Sequence, residues 1–342
     1  MIKARILIIN ILLGCSLCAL TVSGYIYYGE IKQFSSVSLR YDAPISGRTA
    51  YAARQYSVSH SAGHTFWPTF WSEYKATVSG AFVTTYVDCI AFSGDASLVW
   101  PAKYITGAAP GVVDAFGCAV SEALAWRLWG SVDVIGKTVE IDGAKRVVRG
   151  VFSGKEEVAL ISFRDEGTDR SWDAVELAGV SGNTMRDEVE SYASASGLGK
   201  PTYIQMGGLS YLAGSMAALP LLIPAVCCLC LVFGAIRKWR PAAGKLIPYI
   251  LLLVLALVLP AILEILPEQA IPARWSDLSF WGSAISKTLD SLRVFLRVAP
   301  QSRDMELRMI LLKQAGVTFL AVLVSITICF RWVGRYTWQV SR

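Results

Sequence analysis

The sequence predicts a membrane protein with four transmembrane α-helices, one before and three after an α+β extracytoplasmic domain. Three observations predict it. Of the 342 residues, 54% are hydrophobic and only 17% charged, against about 25% charged in ordinary soluble domains. Four stretches reach the roughly 20 apolar residues that a helix needs to cross a bilayer. Three short segments on one face, before the first span, between the second and third and after the fourth, carry nine basic residues and no acid. Mean hydropathy is +0.46. Composition excludes collagen-like, low-complexity and small disulfide-scaffold classes.

The first span closes residues 1–28 and has no charge from Ile6 to Tyr28. Its Leu12-Leu13-Gly14-Cys15 loosely matches a lipoprotein cleavage box. Leu13 is bulky where a small residue is usual, and the apolar run continues past Cys15, so an uncleaved anchor is expected. The second span, 208–236, is longer than a bilayer requires, about 42 Å as continuous helix. Pro220 and Pro224 fall inside it, and Cys227, Cys228 and Cys230 are read as small packing residues. The third span, 246–266, holds Glu264 near its end, and the fourth, 309–330, holds Lys313 near its start. Lys3 and Arg5 precede the first span. Arg237, Lys238, Arg240 and Lys245 lie in the link 237–245, and Arg331, Arg335 and Arg342 in the tail 331–342. None of these segments contains an acid, which by the positive-inside rule places all three in the cytoplasm.

Residues 29–207 then lie outside the cytoplasm, about 180 residues and enough for one domain or two small lobes. Ala81–Phe92 reads as a strand, and Ala119-Val120 ends another. Ser121 reads as the N-cap of a helix Glu122–Trp129 that stops at Gly130. Thr138–Ile141 and Arg146–Phe152 read as a hairpin turning at Asp142-Gly143. Trp172–Leu177 reads as a further strand, and Asn183 as the cap of a helix running to Ser196, with Gly197 ending it.

The run Cys118-Ala119-Val120-Ser121-Glu122-Ala123-Leu124-Ala125, then Leu128-Trp129-Gly130, Asp133-Val134-Ile135-Gly136-Lys137, Val139, Ile141-Asp142-Gly143 and Val148-Arg149-Gly150-Val151-Phe152 resembles the periplasmic core domain of MacB/FtsX-type ABC permeases. The order of one span, a large exported domain and three further spans is similar to that family too. The resemblance implies the permease subunit of an ABC-type transporter in the plasma membrane, multi-pass, with both termini cytoplasmic. It implies a homo- or heterodimer that couples ATP-driven motion of a separate cytoplasmic ATPase to the extracytoplasmic domain. The expected ATPase contacts are Arg237, Lys238, Arg240 and Lys245, with the tail as a second contact. The link lacks the Glu-Ile-Gly-like stretch that family members usually carry after the second span. That absence favours the alternative, a membrane-anchored extracytoplasmic sensor or scaffold without ATP coupling.

Other motifs weigh less. Gly130–Thr138 nearly spells a phosphate-binding loop, but five residues separate its glycines where that motif has four, and a helix precedes it. His60 and His64, four apart, lack a third zinc ligand. No nucleophile elbow accompanies them. No enzyme, cofactor, metal or nucleic-acid partner is therefore expected. Cys89 and Cys118 fall in or beside predicted strands of an oxidising compartment. The expectation is a disulfide worth roughly 3–4 kcal/mol; the alternative is two buried thiols. Trp67, Phe70 and Trp71 are read as core ahead of a ligand patch. In the exported loop 267–308, Trp281, Ile285, Leu289, Leu292 and Leu296 recur at helical spacing. They predict an amphipathic helix against the outer membrane surface or the exported domain, or one in an ordinary core.

Overall fold

Aromatic and β-branched runs, each ended by Gly, Ser or Asp, make the exported part a strand-rich unit. The computed structural model describes residues 2–34, 36–61, 66–164, 170–179, 186–205, 208–238 and 301–340, with seven further positions between 282 and 296. Contacts divide the chain into two units. One comprises Gln33–Gly207 with Phe295–Met305, and the other comprises Met1–Lys32, Gly208–Val294 and Glu306–Arg342.

The first of these holds ten strands and four helices in the order β1 (Val37–Ser46), α2 (Gly47–Ser59), β2 (Trp67–Ser79), β3 (Thr84–Ser93), α3 (Ala96–Val99), β4 (Tyr104–Gly107), β5 (Gly117–Ser121), α4 (Glu122–Trp129), β6 (Thr138–Ile141), β7 (Ala144–Phe152), β8 (Val158–Ser162), β9 (Ser171–Ala178), α5 (Arg186–Ala195) and β10 (Tyr203–Gln205), α1 belonging to the other unit. The sheet runs β10-β1-β9-β2-β3-β8-β5-β7-β4, and β6 bridges β7 to β2. Two long strands, β2 and β3, therefore serve two lobes.

In one lobe the pairs β2/β3, β3/β8, β8/β5, β5/β7, β7/β6 and β6/β2 close a ring. Its inward side chains include Val78, Val87, Val120, Val148 and Ile161, and Leu124 and Leu128 of α4 pack on them. Closing a sheet on itself removes exposed edges. The sequence supplies the closure locally. Asp142 and Gly143 take φ of 49° and 81°, the left-handed pair that a two-residue hairpin turn needs. The Asp142 backbone N–H donates to Thr77 O at 3.0 Å, and its carboxylate accepts from Thr77 N at 2.9 Å. The Ser121 hydroxyl caps α4 by accepting from Leu124 N and also accepts from Val158 N, which ties the helix start to β8. Gly150 of the resembled run lies opposite Gly107 on β4. A Cβ there would stand 2.4 Å from Ala108 O, so only glycine lets the two strands approach.

The other lobe is an open sheet of β10, β1, β9 and the first half of β2. Alternation splits its faces. Leu39, Phe70, Val175 and Leu177 face α2 and α5, whereas Trp71, Ile90, Phe92 and Ala174 face the other way, where α3 packs.

The second unit holds α1 (Ile2–Lys32), α6 (Gly208–Lys238) and α7 (Ser302–Val340). Each is long and apolar enough to cross a membrane, over Ile8–Lys32, Leu212–Leu231 and Ser302–Gly334. The protein is a membrane protein. The expected third span, 246–266, lies outside the described residues. Small residues bring α1 and α6 together at Gly24 and Ala217. The buried positions of α7, among them Leu307, Ile310, Gln314, Thr318, Ala321 and Ser325, recur at helical spacing on one face.

The structure extends two expected boundaries. α7 starts at Ser302 instead of 309 and runs to Val340, through most of the expected 331–342 tail. Apolar counting misses its first turns because they carry Arg303, Asp304, Glu306 and Arg308. The missing strands were β1, β2, β4, β8 and β10. Residues 80–83 form the β2–β3 turn, with Gly80 N donating to Val83 O, so the expected Ala81 start moves to Thr84. Of the expected amphipathic stripe, Leu289 and Leu296 are exposed and Leu292 is half-buried, while Phe295 beside it is buried. Trp281 and Ile285 lie outside the described residues.

Candidate functional site

Five charged side chains converge inside the strand-rich unit, where the segment Phe295–Met305 joins it. Glu176 sits on β9 in register with Ser38 of β1 and Thr69 of β2. Its side chain is fully buried. The carboxylate accepts from Ser36 Oγ and Ser38 Oγ at 2.7 Å, and from Trp71 Nε1 at 3.1 Å. Two guanidinium groups complete it, Arg40 Nη1 at 3.2 Å and Arg303 Nη1 at 3.3 Å. Arg40 reaches on to Asp304 Oδ1 at 3.2 Å and lies over the Trp71 ring, 4.8 Å from its centroid. Arg303 donates to Ser36 Oγ at 2.9 Å and lies over Phe34. One turn away, Glu73 of β2 accepts the Ser302 backbone N–H at 2.8 Å and also bonds the Ser302 hydroxyl. A carboxylate there answers an amide that the helix start leaves free, and it suits the positive end of the helix dipole.

Buried charges persist only when paired and hydrogen-bonded. Here three acids face two bases and most of the described donors and acceptors point at one another, while Nε and Nη1 of Arg303 make no hydrogen bond among the described residues. The arrangement holds the start of α7 to β1, β2 and β9. Among the described residues, no group of three or more His, Cys, Asp or Glu side chains is placed to hold a metal ion.

The sequence-predicted site residues fall elsewhere. Arg237 and Lys238 are the last two residues of α6. Arg240 and Lys245 lie outside the described residues. Cys89 and Cys118 are both buried and free, which corrects the expected disulfide. β8 lies between β3 and β5, pairing Cys89 with Ala159 and Cys118 with Ile161. Two strand spacings put the α-carbons about 10 Å apart, beyond the roughly 7 Å that a disulfide spans. Burial pushes the thiol of Cys89 up to about 12, helped by Asp142, and burial does the same to Cys118. A raised thiol pKa contributes stability below the unfolded value of about 8.5 and loses it as pH rises above that. The thiolate is the reactive form. Both cysteines are therefore expected to resist maleimide at pH 7.5 in the native protein and to label on unfolding. Peptide mass spectrometry at increasing denaturant checks this, and rapid native labelling of either thiol would refute it.

His60 ends α2, stacked on Tyr56 with ring centroids 4.1 Å apart; His64 lies outside the described residues. The near-match to a phosphate loop uses its amides internally, Gly136 N to Val148 O and Lys137 N to Val134 O. Of the aromatic trio, Phe70 and Trp71 are wholly buried on opposite faces of β2 and Trp67 is exposed.

No protein-family model and no curated protein matches this chain. Solved structures do. The periplasmic region of MacB from Actinobacillus actinomycetemcomitans is 12% identical over 52% of this chain and 92% of that one, with a TM-score of 0.41. The extracellular domain of the noncanonic ABC-type transporter YknZ from Gram-positive bacteria is 12% identical over 46% of this chain and 88% of that one, with a TM-score of 0.36.

Proposed function

We propose that the chain is the permease subunit of an ABC-type transporter, working with a separate cytoplasmic ATPase. One observation carries the reading. The resembled run from Cys118 to Phe152 falls on one continuous piece, β5–α4–β6–β7, with Gly130, Gly136, Gly143 and Asp142 at left-handed positions and Gly150 where β4 and β7 approach. The arrangement of spans supports it, since the strand-rich segment is bounded by α1 and α6, and charge placement favours cytoplasmic termini. In this reading the protein is a dimer of the plasma membrane. The basic residues Arg237, Lys238, Arg240 and Lys245 dock the ATPase, whose cycle moves the spans and, through them, the exported domain.

The test is affinity purification of the full chain in mild detergent. A nucleotide-binding subunit is expected to co-purify. It is expected to be lost when the four basic residues are replaced by glutamine, while reporter fusions show topology unchanged. Recovery of the intact chain without any such subunit, from cells that make it at native level, would overturn the reading. A second reading, an anchored sensor or scaffold, is favoured by the link, Arg237–Lys245, which lacks the Glu-Ile-Gly-like stretch.

A further inference from the structure

Proline leaves a helix with a carbonyl that has no donor, because the residue four positions earlier loses its partner. α6 contains two prolines, Pro220 and Pro224, so the carbonyls of Met216 and Pro220 are the two it strands. In hydrocarbon a stranded carbonyl must find a donor inside the protein. The structure gives one to each. Thr318 Oγ1 of α7 donates to Met216 O at 3.2 Å, and Ser325 Oγ donates to Pro220 O at 2.6 Å. A turn earlier, Gln314 Nε2 donates to Ala213 O at 2.6 Å. Gln314 and Ser325 are fully buried and Thr318 nearly so. Ser325 Oγ also lies 2.9 Å from Ala321 O of its own helix; its one proton serves the shorter contact to Pro220 as well.

We propose that α6 and α7 are locked into one mechanical element by this exchange, with Thr318 and Ser325 supplying the two hydrogen bonds that Pro220 and Pro224 cannot make. The matches are specific in register. Residues 213, 216 and 220 of α6 meet 314, 318 and 325 of α7 in the same chain direction. Sliding α7 by one turn would strand both carbonyls and leave three polar side chains in an apolar interface. The prolines thus keep α6 bent-capable at one level while α7 holds its position there. The inference rests on the span unit alone and does not depend on an ATPase.

The lock is tested by a double-mutant cycle on the full chain in detergent. Pro224→Ala restores an amide to the Pro220 carbonyl. S325A is expected to lower the melting temperature by several degrees in the native background and to have little effect in the P224A background. T318A is likewise expected to lower it in the native background and to have little effect in the P220A background. Equal effects of S325A in both backgrounds, or none in either, would overturn the proposal. A second readout does not need a melting transition. Cys227 lies two turns beyond Pro220 on α6 and Cys329 one turn beyond Ser325 on α7. In a variant keeping only these two cysteines, with a protease site inserted between α6 and α7, copper–phenanthroline is expected to join the fragments. S325A is expected to slow that joining several-fold, and Ser325→Thr to restore it. An unchanged rate in S325A would count against the lock.

Discussion

Glu176→Gln is expected to destabilise the strand-rich unit by about 3–5 kcal/mol, the scale set by removing one partner of a buried ion pair. The reason is arithmetic of charge. Among the described residues, Glu176 is the carboxylate that ion-pairs with both Arg40 and Arg303. Without its charge, Asp304 remains for Arg40, and Arg303 keeps its hydrogen bond to Ser36, the Phe34 ring and the more distant charge of Asp304. Glutamine retains the volume, so a cavity does not confuse the result. The measurement is the unfolding midpoint of the full chain in detergent, followed by tryptophan fluorescence. The exposed pair Arg149–Asp114, whose side chains are 47% and 22% exposed, provides the comparison. Arg149→Gln should cost only about 0–1 kcal/mol. Equal shifts for the two variants would show that burial of the cluster carries no special weight.

The cluster also explains why α7 begins where it does. Its first turn carries Arg303 and Asp304, residues that an isolated apolar helix would exclude from its start. Glu176 of β9 pairs with Arg303 and Arg40 of β1 with Asp304, while Glu73 of β2 accepts the Ser302 amide just before them. The first turn of α7, through Met305, belongs to the strand-rich unit, and the rest of the same helix to the other. The helix is thus anchored at its start by charge and held along its apolar length by Thr318 and Ser325.

Local signals were legible in the sequence and distant pairings were not. Ser121 before Glu122, Gly130 after Trp129 and the Asp142-Gly143 turn each act within a few residues, and the structure puts them where spacing implied. β2 was missed because Trp67–Ser79 mixes buried Phe70, Trp71 and Ser72 with charged Glu73 and Lys75, which blurs a two-residue alternation. β8 was missed because Val158–Ser162 is buried throughout, leaving no alternation to read. Without a signal for β8, Cys89 and Cys118 read as neighbours, although that strand separates them. The ion cluster joins Arg40 to Asp304 across 264 positions, and no spacing rule reaches that far. The polar stripe of α7 did leave a trace. Gln314, Thr318 and Ser325 stand at helical intervals in an otherwise apolar span, and α6 offers two prolines that need donors.

Two fully buried tryptophans separate packing from hydrogen bonding in the same unit. Trp71→Ala and Trp172→Ala are each expected to cost about 3–5 kcal/mol, the usual range for emptying so large a core site. The phenylalanine variants should part company. Trp71 Nε1 donates to Glu176 at 3.1 Å, whereas Trp172 Nε1 has no hydrogen-bond partner among the described residues. Trp172→Phe removes a buried donor that has no partner among the described residues, so it should recover most of the alanine loss. Its ring still meets Phe163, whose centroid lies 6.4 Å away in the native protein. Trp71→Phe fills much of the same space but deprives a buried carboxylate of a donor, and should retain an extra deficit of roughly 1.5–3 kcal/mol. Chemical unfolding of the four variants beside the native chain measures the difference. If the two phenylalanine variants unfold at the same midpoint, the indole contributes by volume alone. Glu176 would then be held by Ser36, Ser38 and the two arginines without it.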